Sequence, residues 1–248
     1  YWSGDERGSN WDRDLRVYPI SVPVGSQGLH GVGASFALRY QNEEQLSVVF
    51  LGDGATSEGD MLEAMNFAGA WETPVLFFCQ NNQWAISVPR EKQTASENLS
   101  QKAEAFGFEG LRVDGNDPLA NYQLGRDLRQ YCLENSEPVF VEAVTYRLGD
   151  HTTSDDAGRY REEDEVQAWK KKDPIRRIRL LLEDQHDWSD QDEDDLDKTI
   201  EQDIETAIDE FEKLPEPDPS DMFDYLYESI TPRLRDQKST LEDETSGE

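Results

Sequence analysis

Two short segments carry residue types able to hold a charged ligand. The first is Gly52-Asp53-Gly54-Ala55, directly after the apolar run LSVVFL, with Glu58 close behind it. The second is Asn81-Asn82, after the apolar run VLFFC and Gln80. An Asp carboxylate and an Asn amide oxygen are hard donors suited to Mg2+, an ion that keeps water and takes phosphate oxygens as its other ligands. Glycine lets the backbone approach a phosphate, and the N–H groups of Gly54 and Ala55, in a turn before a helix, point toward such an anion. Taken singly, GDG is a common turn and NN a common loop. Their joint meaning depends on whether both stand at the ends of neighbouring strands.

The surrounding elements place them there. Residues 46–51 and 75–79 read as buried strands, separated by an amphipathic helix over 58–71 whose Met61, Met65 and Phe67 read chiefly as core. Before them come a turn-rich loop over 19–27 and a Gly/Ala-rich helix over 28–40. After them come a short helix at 100–105, a short strand at 111–113, a helix at 118–133 and a strand at 139–144. Continuous apolar strands alternating with helices imply an α/β fold, a mostly parallel sheet with helices on both faces. Ligands of such sheets sit beyond the carboxyl ends of the strands, so Asp53 and Asn82 are expected at one site. The pattern then breaks over 146–161, a polar loop with His, Thr, Ser, Asp, Arg and Tyr in quick succession. A loop of that length is functional or disordered. Helices follow at 163–170, 174–184 and 190–213, then a stiff linker LPEPDPS and a short helix at 221–230. The expected organisation is a ligand-binding α/β domain over 1–162, a helical region over 163–238 and a disordered tail over 239–248. The polar stretch 1–18 reads as the interior of a longer protein, with a further segment expected before it.

Composition narrows the partners. A formal net charge of −30 argues against a nucleic-acid backbone and against an anionic membrane surface. The acidic stretch keeps helical apolar spacing at Ile200, Ile204, Ile208 and Phe211, so it reads as folded rather than as a charged tail. An acidic folded surface suits a salt-rich cytoplasm, as in haloarchaea, where salt screens its self-repulsion. No apolar run is long enough to span a membrane and the first residues are no signal peptide, so the chain reads as cytoplasmic. Cys79 and Cys132 lie far apart in apolar contexts and read as buried free thiols.

The spacing makes the reading specific. The 26 residues between GDG and NN match the thiamin-diphosphate motif. The run GDGATSEGDMLEAMNFAGAWETPVLFFCQNNQWAISVPREKQTAS resembles the alpha subunit of the decarboxylating component of pyruvate and branched-chain 2-oxo acid dehydrogenase complexes. So do VDGNDPLA, YRLGDHTTSDDAGRYR and MFDYLYESITPRLRDQ, and the resemblance covers nearly the whole chain. It implies the thiamin-diphosphate-binding fold, with Mg2+ on the Asp53 carboxylate, the Asn82 side chain and the Trp84 carbonyl. Diphosphate contacts fall on Gly54, Ala55, Gln80 and His151; some members carry Arg at the Gln80 position. Val22 and Val24 match positions touching the thiamin ring region. Ser21, Pro23, Ser26 and Gln27 match a monovalent-cation (K+) site. Arg147, Thr152, Asp155 and Tyr160 fall in an ion-pair and hydrogen-bond network that orders the 146–161 loop, and Thr152 matches a phosphorylated position in some eukaryotic members.

The same resemblance implies oxidative decarboxylation of a 2-oxo acid with acyl transfer to a lipoyl group, His151 being catalytic. The carboxylate that activates the cofactor comes from a beta subunit; no candidate stands in this chain, and Glu58 is left with capping or loop contacts. The expected assembly is an α2β2 heterotetramer serving a lipoyl acyltransferase core. Acetoin dehydrogenase and a non-catalytic scaffold subunit are the alternative readings.

Overall fold

The computed structural model describes residues 16–20, 22–215 and 218–245. These divide into two compact units, Ile20–Trp188 and a second containing Ser189 onward together with Arg16–Pro19. The first unit therefore runs past the expected boundary at Glu162 and takes in two helices assigned in advance to the helical region.

In the first unit, α1 (Ser26–Tyr40) leads into β1 (Ser47–Gly52), a 3-10 turn (Asp53–Ser57), α2 (Gly59–Ala70) and β2 (Val75–Asn81). A small hairpin, β3 (Trp84–Ala85) with β4 (Val88–Pro89), and the short α3 (Arg90–Gln93) follow. A second 3-10 segment (Ser100–Phe106), β5 (Glu109–Asp114), α4 (Pro118–Asn135) and β6 (Val139–Val144) complete the sheet. Its order is β1-β2-β6-β5, with every pairing parallel. The steps β1→α2→β2 and β5→α4→β6 advance in opposite directions and put their helices on opposite faces, so the β2–β6 boundary is where the winding reverses. In open α/β sheets such a reversal opens a crevice at the strand tips.

Each face has its own core. Val49, Leu51, Phe77, Cys79 and Phe140 pack against α2 through Met61, Ala64, Met65 and Ala68. Leu76, Val139 and Val141 pack against α4 through Leu128 and Cys132. Met61 and Met65 are fully buried, which settles them as core. Burying a Met or Phe side chain contributes roughly 1.5–3 kcal/mol, so these strands are fixed by their apolar faces while their tips are free to be polar. Both cysteines are buried free thiols. Burial, with Glu137 nearby, pushes the Cys132 thiol up to about 12.

Capping sets the helix starts. Asp117 accepts from the Ala120 N–H at 3.0 Å ahead of Pro118, and Asp173 accepts from the Ile175 and Arg176 N–H groups ahead of Pro174 in α6 (Pro174–Gln185). Pro suits the first helical position because that N–H has no intrahelical partner. Between β6 and α5 (Glu163–Lys170) the 146–161 segment holds only a three-residue 3-10 turn at Ala157–Arg159.

The second unit is helical. Its long helix α7 (Asp190–Glu212) opens with a Ser189–Asp192 capping box, and the apolar stripe Leu196, Ile200, Ile204, Ile208 and Phe211 stands exposed along it. Two expectations differ from the structure here. The helix expected over 221–230 ends at Asp224 (α8, Asp221–Asp224). The tail expected to be disordered from Ser239 is instead helix α9 (Pro232–Thr245). Pro232 opens the second helix, where the Thr231 hydroxyl accepts from Leu234 N–H at 3.4 Å.

A close backbone approach fixes how β5 lies on the second 3-10 segment. A Cβ built on Gly110 would stand 1.9 Å from the Ser100 carbonyl oxygen, which is backbone and has no rotamer to yield. Gly110→Ala is expected to cost about 1–3 kcal/mol of stability, the range for overpacking a close contact, read as a lowered urea midpoint with unchanged slope.

Candidate functional site

Because all four strands are parallel, their carboxyl ends share one edge. Gly52 pairs with Gln80, and Asn81 with Val144. Asp53, Asn82 and the 146–161 loop therefore leave the sheet side by side. The Asp53 side chain is buried at 1% exposure. Its Oδ2 accepts from Gln93 Nε2 at 2.8 Å, and the Asn82 backbone N–H also favours its charged form. Burial nevertheless dominates and holds the carboxyl above its ordinary value, with the Gln93 and backbone hydrogen bonds and the Arg147 charge opposing the shift.

The turn after Asp53 is anchored from beneath. Thr56 Oγ1 donates to the Asp53 carbonyl at 2.7 Å, and Lys102 Nζ donates to the Thr56 carbonyl at 2.7 Å and hydroxyl at 3.0 Å. Gly54 lies against the facing hairpin: a Cβ there would stand 2.9 Å from Ala85 Cβ. The turn after β2 is held as tightly. Asn82 Oδ1 accepts from Trp84 N–H at 3.1 Å, and Asn81 Oδ1 from Gln83 N–H at 3.2 Å. Gln83 between them sits at φ 73, a left-handed conformation that a side-chain-bearing residue enters only when held.

The loop closes onto the same place. Arg147 Nη1 approaches the Trp84 carbonyl at 3.4 Å, and its Nη2 donates to the Ile86 carbonyl and to Tyr160 Oη, both at 2.8 Å. The Tyr160 hydroxyl in turn donates to Asp155 Oδ2, which also accepts the His151 backbone N–H at 2.9 Å. The hydrogen bond from Tyr160 is the chief reason the Asp155 carboxyl lies below its ordinary value. Trp84 and Tyr160 pack with ring centroids 5.4 Å apart.

The expected residues thus fall into three groups. Asp53, Gly54, Ala55, Gln80, Asn82 and Trp84 sit on two adjoining strand tips. Arg147, Asp155, Tyr160 and the His151 backbone form one bonded chain that begins at Trp84, while Thr152 adds its carbonyl, which accepts from Asp155 N–H at 3.1 Å, and a 3.2 Å contact with Ser154. The third group is not drawn in: Val22 and Val24 stand exposed, at 69% and 60%. Pro23 and Ser26 bond to each other, Gln27 donates to the Phe50 carbonyl at 3.2 Å, and Ser21 lies outside the described residues. Sequence reasoning missed Gln93, Lys102 and Glu142. Only Glu142 gave a signal, an acid inside the apolar strand VFVEAV.

The donor set fits a hard cation. Among the described residues no three His, Cys, Asp or Glu side chains gather as metal ligands, so a cation here must use amide and carbonyl oxygens beside one carboxylate. Carboxylate, amide and carbonyl oxygens each carry more lone pairs than the hydrogen bonds above use, and a guanidinium already rests at the Trp84 carbonyl. Fold and site together define an α/β protein whose adjoining parallel-strand tips gather a carboxylate, an amide oxygen and a carbonyl oxygen of the kind a hard cation takes.

Comparison with known proteins gives that class its family. Residues 3–220 match the family described as the dehydrogenase E1 component. The chain is 44% identical over 243 residues to a 3-methyl-2-oxobutanoate dehydrogenase subunit alpha of Mycobacterium tuberculosis, covering 97% of this chain and 65% of that one. It is 38% identical over 241 residues to a pyruvate dehydrogenase E1 component subunit alpha of Mycoplasma genitalium, covering 96% and 66%. It is 38% identical over 225 residues to a mitochondrial 2-oxoisovalerate dehydrogenase subunit alpha of Arabidopsis thaliana, covering 90% and 48%. The chain belongs to the dehydrogenase E1 component family, and it spans about two thirds or less of the length of these relatives.

The raised Asp53 value has a measurable consequence. In the folded state this carboxyl keeps its proton to higher pH than when unfolded, so ionising it from about pH 4 upward weakens the metal-free fold. The difference in unfolding free energy between Asp53→Asn and the unsubstituted chain should therefore shift in favour of the variant as pH rises from 4 to 7. Urea unfolding at a series of pH values without divalent metal reads it; a difference independent of pH would contradict the burial argument.

Proposed function

We propose that this chain is the thiamin-diphosphate-binding alpha subunit of a 2-oxo acid dehydrogenase. The observation that carries the reading is the buried, incompletely compensated Asp53 carboxylate beside the Asn82 amide and Trp84 carbonyl on adjoining strand tips. Asp53, Asn82 and the Trp84 carbonyl would hold Mg2+. The N–H groups of Gly54 and Ala55, with Gln80 and His151, would meet the diphosphate, and Val22 and Val24 the ring. Thiamin diphosphate, when bound, supplies the electron sink for loss of CO2 from a 2-oxo acid. The chain's own residues grip, orient and screen. The bonded run Trp84–Arg147–Tyr160–Asp155 fixes the His151 backbone relative to the metal turn, from where its imidazole can donate a proton or hydrogen bond to the transferring acyl oxygen. Ser21, Pro23, Ser26 and Gln27 would be the place of a K+ ion, in a turn where the Pro23 carbonyl accepts the Ser26 amide and hydroxyl.

The printed names of the relatives span a branched-chain 2-oxo acid and pyruvate, which supports a 2-oxo acid as substrate. Their designation as alpha subunits supports a beta subunit, an α2β2 assembly and delivery of the acyl unit to a lipoyl acyltransferase core. The exposed apolar stripe of α7 is consistent with a further protein surface covering it. No helix among the described residues is long and apolar enough to cross a membrane.

Calorimetric titration of the assembled complex with thiamin diphosphate should show binding only with Mg2+, abolished by Asp53→Ala. His151→Ala should bind cofactor but lose most acyl transfer to a lipoyl acceptor. Limited proteolysis should cut residues 150–158 in ligand-free protein and slow when both are added; cofactor binding that survives Asp53→Ala would refute the assignment.

The surface supports a salt-adapted reading. A net charge of −30 repels itself, and molar salt shortens the reach of that repulsion to about 3 Å. The midpoint of thermal unfolding should rise between low and molar KCl; equal midpoints would remove salt adaptation from the account.

A further inference from the structure

Glu142 is a carboxylate at 1% exposure in β6, on the sheet face that carries Phe140 and Cys79 of the α2-side core. A buried acid is costly unless its oxygens are hydrogen-bonded, and these are. Oε1 accepts from Asn81 Nδ2 at 2.7 Å. Oε2 accepts from Ser100 N–H at 3.1 Å. Arg112 Nε stands 3.9 Å away, on a half-exposed side chain. The Asn81 bond crosses the β2–β6 boundary, where the winding of the sheet reverses.

Its consequence lies one residue further along the chain. The Asn81 amide has a donor end and an acceptor end. Glu142 Oε1 takes the donor end of that amide and leaves Oδ1 directed at Gln83 N–H. Asn81 O also accepts from Gln83 Nε2 at 3.1 Å. Gln83 is thereby pinned on both sides at φ 73, and it is the residue between Asn82 and Trp84, the two donors this turn presents. We propose that Glu142 is a positioning residue for the cation site: by selecting the orientation of the Asn81 amide it sets the turn that aims Asn82 Oδ1 and the Trp84 carbonyl. The inference rests on the metal reading above and adds to it a residue from the sheet interior.

The test is Mn2+ affinity, read by electron paramagnetic resonance on the full chain assembled with its beta subunit, with thiamin diphosphate present. In Glu142→Gln the new amide can keep Oε1 on Ser100 N–H but sets a donor against the donor of Asn81. The expected result is a folded protein with Mn2+ bound about 10- to 100-fold more weakly, the usual loss when a group behind a ligand is removed. The reciprocal pair Asn81→Asp with Glu142→Gln restores a donor facing an acceptor, keeps an oxygen for Gln83 N–H, and should recover most of the affinity. Should Glu142→Gln fail to fold, Asn81→Ala cuts the same link from the other side, leaves the carboxylate on Ser100, and should show the same loss. Unchanged affinity in whichever single variant folds, or no recovery in the reciprocal pair, overturns the role. Absence of Mn2+ binding to the unsubstituted protein overturns the metal reading, and this inference with it.

Discussion

A carboxylate withdrawn from water must be met by donors or charge, or it takes up a proton. Asp53 is withdrawn in this way. Gln93, backbone N–H groups and the field of Arg147 meet it in part, yet its carboxyl stays above the ordinary range. The remaining deficit is what a bound cation would cancel. The surrounding turns are built to keep Asp53 in that condition rather than to relieve it. Lys102, beneath the turn, gives its donors to Thr56, and burial lowers its own value. Arg147 spends its guanidinium on carbonyls and on Tyr160. Neither cation forms a direct pair with Asp53, which a structural ion pair would require.

The same economy of partners joins the site to its loop. Arg147 belongs to the 146–161 segment, but its acceptors Trp84 and Ile86 belong to the small hairpin after β2. Arg161 braces the segment from its other end by donating to the Arg147 and Leu148 carbonyls. Trp84, Tyr146, Leu148, Tyr160 and Trp169 then pack as a third core that ties the loop to α5. A segment with one three-residue 3-10 turn for regular structure is thus ordered by side chains, and these bonds are to backbone carbonyls of the hairpin after β2 or to the loop itself. Whatever shifts that turn shifts the platform on which His151 stands.

Much of this was legible in the sequence, because burial of continuous apolar runs dictates parallel strands, and parallel strands dictate a shared edge for their tips. That logic placed Asp53 and Asn82 together before any coordinates. It could not place Gln93, a polar residue in a polar stretch with no periodic signal. Nor could it give Glu142 its partner: the acid was visible inside VFVEAV, but Asn81 becomes its neighbour only once β6 slots between β2 and β5, a non-sequential order that local patterning does not encode. The carboxyl-terminal misreading has a similar root. Helix α9 has few apolar residues to announce a buried face, and Pro232 reads equally as an end or a beginning until the Thr231 hydroxyl is seen capping it.

The two units differ in what stabilises them. In Ile20–Trp188 the apolar residues serve two-sided burial of a sheet, and buried polar side chains such as Asp53, Asn81, Glu142 and Ser35 are hydrogen-bonded. In the unit containing α7, 12 of the 23 helix residues are acidic, while the apolar stripe stays exposed. An isolated helix of that composition gains little from propensity and loses to like-charge repulsion at i,i+4 spacing. Its capping box offsets only part of that loss. The helix itself thus supplies little of its own stability; screening of the acids by salt, or cover for the stripe by another surface, would each add to it.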